Sequence, residues 1–306
     1  MKMRAYRGLS DLEDMLNLLS KGCEADNGTY YVHRGDVLWW LFYNDDIAQE
    51  WQSRIRLWLE ADELIGWALL SPGEDAFDVF TLPGLRNSPR EREMLAWAVD
   101  QMASLDELNN VWVAEGDEVR IRWFEENGFT VQPDHFVHFR QSLARPVDVS
   151  PLPEGFSVRT SRGTEEDARL RAACSHAAFR SAKPFEEYWL RTLRFTQSPV
   201  YVPEYEIFVM SPDNEVAAFC IVWTDELNKL GHFEPVATHP KYQRRGLGRS
   251  LLYEGLRRLK FEGMTEADVC ADHDNEAAHR LYESVGFRRS KRLLTYRKRG
   301  KHEYNA

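Results

Sequence analysis

Residues His232–Leu259 read HFEPVATHPKYQRRGLGRSLLYEGLRRL, and Ala267–Phe287 read ADVCADHDNEAAHRLYESVGF. The first segment passes from an apolar strand into the loop Gln243-Arg244-Arg245-Gly246-Leu247-Gly248 and directly into a helix. Glycines let a backbone approach its ligand closely, and the unpaired N–H groups of a first helical turn point at an anion. Such a loop suits a phosphate. The second segment adds a strand, a helix carrying Leu281-Tyr282, and a Gly286-Phe287 stop. In the helix entered from Arg249, Leu252, Leu256 and Leu259 recur at i, i+4 and i+7, so one face is expected to be buried.

Upstream, the same order of elements can be read twice. The N-terminal half predicts a strand over Arg4–Arg7, a helix capped by Ser10 or Asp11, and a helix over the aromatic-rich Val37–Phe42. Strands follow at Ser53–Glu60, Leu64–Ser71 and Phe77–Leu82, then a helix over Arg90–Ala103, a strand at Asn110–Ala114 and a helix ending at Gly128. Pro146, Pro151 and Pro153 mark an interdomain linker. After it come a strand at Ser157–Thr160, helices at Thr164–Ala178 and Pro184–Phe195, and strands at Glu204–Met210 and Val216–Trp223. A last strand is expected at Leu293–Arg297. Trp123-Phe124-Glu-Glu-Asn-Gly128-Phe129 sets the register against Leu281-Tyr282-Glu-Ser-Val-Gly286-Phe287. A repeat this long means tandem domains and not a solenoid.

Composition excludes several classes. The chain has 306 residues, 29% charged and 43% hydrophobic, as expected of a soluble globular protein large enough for two cores. No secretory signal or membrane-length apolar run is present, so a cytoplasmic protein with no membrane partner is expected. The four cysteines are isolated, without metal-ligand spacing, and read as free thiols; no metal is implied. Net charge is −10, about −12 over residues 1–145 and about +2 over the remainder, which argues against a nucleic-acid partner. The basic tail Arg297–His302 reads as a solvated end.

Gln243-x-x-Gly246-x-Gly248 after a strand, followed by Asn275-x-x-Ala278-x-x-Leu281-Tyr282-x-x-x-Gly286-Phe287, resembles the GNAT superfamily of acyl-CoA-dependent N-acyltransferases. The resemblance covers the C-terminal half well and the N-terminal half in outline. It implies an α+β fold of two tandem GNAT-like domains, each a mixed, mostly antiparallel sheet flanked by helices. Residues 1–143 would form a degenerate domain, 144–155 a linker and 156–306 an acetyl-CoA-binding domain. In that family acetyl-CoA, as cosubstrate, lies between two central strands. Carried onto this sequence, the loop Gln243, Arg244, Arg245, Gly246, Leu247 and Gly248, with Arg249 and Ser250, would cradle the pyrophosphate. Val236, Ala237 and Thr238 would pair with the pantetheine arm, which Asn275 would also reach, with Ala278 beside it.

The implied reaction is acetyl transfer to a primary amine of a small molecule by direct attack in a ternary complex. Tyr282 matches the family's donor to the CoA sulfur, although Leu-Tyr before Gly-Phe also suits core packing. Glu234 is the first choice for general base and His232 the second; strand alternation places both on one face. His239 is assigned to the turn, and His273 and His279 to the surface. Cys270 lies near enough in sequence to keep a covalent intermediate open. Acceptor-lining residues are sought in Phe179–Tyr188 and in Trp39, Trp40, Phe42 and Tyr43, although aromatics so spaced are more often core. The N-terminal half lacks the Gly pair, carries Pro83 and Pro89 around Gly84, and has Phe124 in the tyrosine's place. It is therefore expected to bind no acetyl-CoA and instead to shape the acceptor site. The alternative reading is a non-catalytic acyl-CoA-binding sensor or scaffold, and a homodimer stays open.

Overall fold

The computed structural model describes residues 1–25, 30–43, 51–71, 76–104 and 109–298. The end of the basic tail, residues 299–302, lies outside them. The described residues divide into two compact units. The first holds Met1–His33, Asp46–His138 and Lys291–Ala306; the second holds Arg34–Asp45 and Phe139–Ser290. The units are thus not contiguous halves. Residues 34–45 pack with the second unit and the last strand with the first.

In the first unit β1 (Lys2–Ala5) pairs antiparallel with β2 (Ile55–Glu60), β2 with β3 (Glu63–Ser71), and β3 with β4 (Ala76–Thr81). β4 meets β5 (Asn109–Ala114) in parallel, through the single pair Ala76–Asn110. Helices α1 (Leu9–Ala25) and α4 (Pro89–Ser104) pack on this sheet, while α2 spans Arg34–Tyr43 and α3 spans Trp51–Arg54. α5 (Glu118–Glu126) is capped by Asp117, whose side chain accepts from the Arg120 N–H. Phe77, Met94, Val113, Phe124 and Phe129 lie in one buried cluster. Asp11, read as a cap, is instead buried under β1, where Arg4 grips it through both carboxylate oxygens at 2.6 and 2.7 Å.

The second unit repeats this device. β7 (Ser157–Thr160) carries Arg159, which grips Asp167 of α6 (Glu165–Ala178) at 2.8 and 2.7 Å. In both units the N–H three residues past that arginine, from Arg7 or Arg162, donates to the same carboxylate. α7 spans Phe185–Thr196. The strands run antiparallel from β7 to β8 (Glu206–Met210), β9 (Val216–Asp225) and β10 (Leu230–Thr238), and β10 is parallel to β11 (Glu266–Asp272). α8 (Leu247–Phe261) packs on the sheet with Leu252, Leu256 and Leu259 all 0% exposed, each worth about 1.5–3 kcal/mol of burial. α9 spans Glu276–Ser284.

Two strands depart from expectation. β6 (Thr130–Ser142) was not anticipated; its residues Phe139–Ser142 belong to the second unit, where Arg140 meets Glu266 of β11 at 3.1 Å. β12 runs longer than predicted, over Arg288–Lys298, and its part from Leu293 pairs with β5. No described helix is long and apolar enough to cross a membrane.

Candidate active site in the second unit

β10 and β11 part company halfway along. They pair only from Leu230–Phe233 against Glu266–Val269, and a register shift follows between Phe233 and Val236. Beyond it β10 stays paired with β9 through Val236, Ala237 and Thr238, and these three residues line a cavity of about 600 Å³. A strand pair that splays leaves backbone groups free for an extended ligand, because an unpaired edge is a template for another chain-like partner.

The loop closes one end of this cavity. A 3-10 turn over Pro240–Tyr242, capped by His239, leads to Arg244 at φ +65° and Gly246 at φ +80°. Gly246 is the N-cap of α8, and the first intrahelical bond runs from the Ser250 N–H to the Gly246 carbonyl at 3.1 Å. The N–H groups of Leu247, Gly248 and Arg249 precede it in the first turn and are the ones available to an anion. Ser250 is the exception among the predicted loop residues, since its N–H is spent inside the helix. Gln243, Arg244, Gly246, Leu247, Gly248 and Arg249 all line the cavity, whereas Arg245 lies over the Tyr242 ring at 5.7 Å.

α9 supplies the opposite wall. Asn275 caps it, its side-chain oxygen accepting from the Ala278 N–H at 3.1 Å, and both residues line the cavity. Asn275 thus uses its acceptor on the helix and keeps its amide N–H groups for a ligand. Tyr282 lies one helical turn on, 5% exposed and lining the cavity, with Phe139 5.5 Å and Phe287 6.1 Å from its ring. Burial first, and then the charge of Glu234, push its phenol well above the ordinary value. The packing and the donor readings of Tyr282 are therefore both realised.

Glu234 and His232 have different surroundings. Glu234 is part-exposed; burial, helped by the charge of Asp36, pushes its carboxyl up to about 7. His232 is 2% exposed, with Nδ1 2.6 Å from Asp268 Oδ1 and Nε2 2.9 Å from Asp36 Oδ1, the second contact off the hydrogen-bond line. Burial would lower the imidazole's pKa, but Asp36 and Asp268 outweigh it and hold the ring well above its ordinary value. A ring protonated at neutral pH with a carboxylate at each nitrogen has no lone pair for base work.

The sequence reading did not find Asp36 or Asp268. Asp36 sits on α2, far from β10 in sequence, and reaches it because Gly35 lets that helix lie against Trp223; a Cβ on Gly35 would fall 2.3 Å from the ring. Period-2 alternation along β11 was the only available signal for Asp268. His279 is buried and not at the surface, its Nε2 2.9 Å from the Asp272 carbonyl. Trp39 and Tyr43 stack at 3.9 Å inside a cluster with Phe195 and Trp223, so they are core residues. Phe179 is half exposed and lines the cavity, whereas Tyr188 is buried. Burial and the surrounding carboxylates hold the Cys270 thiol well above its usual pKa.

Comparison with known proteins agrees with this geometry. Residues 170–287 match the Acetyltransferase (GNAT) family. A mycothiol acetyltransferase of Kocuria rhizophila is 30% identical over 249 residues, covering 75% of this chain and 79% of that protein. One of Thermobispora bispora is 27% identical over 255 residues, covering 80% and 84%. Among solved structures, a tandem GNAT protein from the clavulanic acid biosynthesis pathway superposes with a TM-score of 0.71 at 14% identity, covering 97% of this chain and 98% of that one. A GCN5-related N-acetyltransferase from Sphaerobacter thermophilus gives 0.66 at 20% identity, covering 97% and 95%. With the splayed strands, the loop at a helix N-terminus and Tyr282 in one cavity, these likenesses place the chain in the GNAT acetyltransferase family.

Proposed function

We propose that the second unit transfers an acetyl group from acetyl-CoA to a primary amine of a small molecule by direct attack in a ternary complex. One observation carries this reading: a single cavity gathers the unpaired end of β10, the first turn of α8 and the Tyr282 hydroxyl. The N–H groups of Leu247, Gly248 and Arg249 would hold the pyrophosphate, each through a charge-assisted bond, with about 0.3–1 kcal/mol from the helix dipole. Val236–Thr238 would hold the pantetheine arm through the backbone, and Asn275 through its amide N–H.

Glu234, with its carboxyl near 7, takes the proton from the acceptor ammonium, directly or through a water. The freed amine attacks the thioester carbonyl. Tyr282, whose raised pKa keeps its proton in place until a thiolate appears, donates to the departing sulfur. His232 takes no proton here. Cys270, held as a thiol among carboxylates, is unsuited to a covalent intermediate, because the thiolate is the nucleophile.

For the first unit we propose no acetyl-CoA site, since its loop lacks the Gly pair and Phe124 replaces the donor. The relatives' name makes the amine acetylated in mycothiol formation the first acceptor to test. Thiol release from acetyl-CoA, measured across a panel of small amines, tests the reading. Amine-dependent release is expected. CoA binding with no release on any amine would return the protein to the sensor or scaffold reading, and absence of CoA binding would remove the assignment of the Gly246 loop.

A further inference from the structure

The first unit contains the same loop as the second up to one residue. A strand ends at Thr81 or Thr238, a 3-10 turn follows over Pro83–Leu85 or Pro240–Tyr242, and then a residue sits at φ +65°, Asn87 or Arg244. The offset is constant, so Glu91 stands where Gly248 stands. In the second unit that position has no side chain. In the first, Glu91 folds its side chain back into the loop, and its Oε2 accepts from the Asn87 N–H at 2.6 Å.

Part of this is a familiar helix start. Ser88 accepts from the Glu91 N–H at 3.3 Å, and Ser-Pro-Arg-Glu has the spacing of a capping box. A capping box, however, is a surface device and needs no buried cation. Here Glu91 is 2% exposed, and Arg120, 3% exposed, donates to its other oxygen at 2.7 Å. Arg86 stands close by, its guanidinium engaged with Asp117. Burial alone would raise the Glu91 carboxyl, but Arg120, the Asn87 N–H and Arg86 hold it below its ordinary value. Two buried nitrogens, Arg120 Nε and Arg86 Nη1, have no hydrogen-bond partner among the described residues. The pocket therefore has more donors than one carboxylate satisfies, as a site for a multiply charged anion would.

We propose that the first unit retains a preformed phosphate seat, that its occupant is the chain's own Glu91 carboxylate, and that emptying the seat exposes a site for a pyrophosphate-class anion. The comparison rests on the reading of the Gly246 loop as a phosphate cradle; the test below does not.

The full chain, saturated with CoA, is titrated calorimetrically with inorganic pyrophosphate. Wild type is expected to take up none. Glu91→Ala is expected to gain one site per chain, and pyrophosphate should raise its melting temperature where sodium chloride of equal ionic strength does not. Glu91→Ala with Arg120→Gln should lose the added site. Should Glu91→Ala fail to fold, Glu91→Gln, which keeps the shape and removes the charge, is read in the same titration. A folded Glu91 variant with no added site would overturn the proposal and leave a plain capping box, as would a wild type that already takes pyrophosphate there. If CoA itself does not bind, the count of pyrophosphate sites should still rise by one on mutating Glu91, so the two readings fail separately.

Discussion

The loops Thr81–Glu91 and Thr238–Gly248 share a backbone and differ in what fills it. Each leaves its strand through a proline-led 3-10 turn and places a non-glycine residue at φ +65°. Then they diverge. Pro89 starts α4 where Gly246, at φ +80°, caps α8, and a glutamate stands where Gly248 leaves room. Next to these changes, Phe124 packs into a closed core while Tyr282 faces a cavity. A fold can thus keep its scaffold while a few side chains decide whether the site between splayed strands is open. The comparison yields graded expectations.

The largest effect should come from the matched aromatic pair. Tyr282→Phe removes the only donor proposed for the leaving sulfur, so amine-dependent thiol release should fall by about 10²-fold or more while CoA affinity persists. The reverse change, Phe124→Tyr, should create no activity. Its hydroxyl would enter a core where Phe124 is 2% exposed and cost roughly 1–3 kcal/mol as an unsatisfied group. A Tyr282→Phe enzyme with full turnover would remove Tyr282 from the chemistry.

Glu234→Gln should come next, with a rate loss of about 10²-fold and an altered pH profile. With a carboxyl near 7, wild-type kcat/KM should rise on the acid side through about pH 7, and that limb should vanish in the variant. Stability follows with a definite sign. A carboxyl raised on folding favours the protonated state, so its cost is absent below the unfolded value and complete above about pH 7. Glu234→Gln should therefore be more stable than wild type at pH 8, by roughly 1–3 kcal/mol, and not at pH 4. A variant equally active with an unchanged acid limb would move the base elsewhere.

His232→Gln tests the other charged group of the site, and its sign is opposite. Imidazolium between Asp36 and Asp268 has a raised folded pKa, so the stability it contributes is complete below the unfolded value near 6.5. It is lost as pH rises through the folded value. The variant should melt well below wild type at pH 6, and the gap should close toward high pH, since removing one partner of a buried ion pair costs about 3–5 kcal/mol. Urea titrations at several pH values would decide this. A gap independent of pH would make His232 a packing residue alone.

These expectations depend on features of unequal legibility. The Gly246 loop, Tyr282 and Glu234 were readable because each lies in a local pattern of strand, turn and helix over a few dozen residues. The helical faces were readable for the same reason, as Leu252, Leu256 and Leu259 illustrate. β6 was not, because Pro133 and the polar residues around it break the alternation that marks a strand, and its burial varies along its length. Asp11 was taken for a cap because caps are local, while its real partner, Arg4, belongs to the preceding strand. Asp36 beside His232, and the placing of Arg34–Asp45 with the second unit, depend on contacts between segments far apart in sequence, which no periodicity encodes. Glu91 illustrates the same limit from the other side. Its local pattern, Ser-x-x-Glu, was present, but burial and Arg120 make it more than a cap.

The smallest effect isolates backbone conformation from everything else. Gly84 and Gly246 lie in the two equivalent loops, and a Cβ on either would meet nothing within 4 Å. They differ in φ: Gly246 stands at +80°, while Gly84 lies outside the positive region. Alanine at 84 should therefore shift stability by no more than about 0.5 kcal/mol. Alanine at 246 should pay roughly 1–2 kcal/mol of left-handed strain. Because that strain falls on the residue that aims the first turn of α8, part of it should appear as weaker CoA binding, by about 5- to 10-fold. Calorimetric titration of CoA into both variants compares them directly. Equal affinity in the two would mean that the Gly246 loop holds its shape without help from its glycine, and that the open seat depends on Gly248 alone.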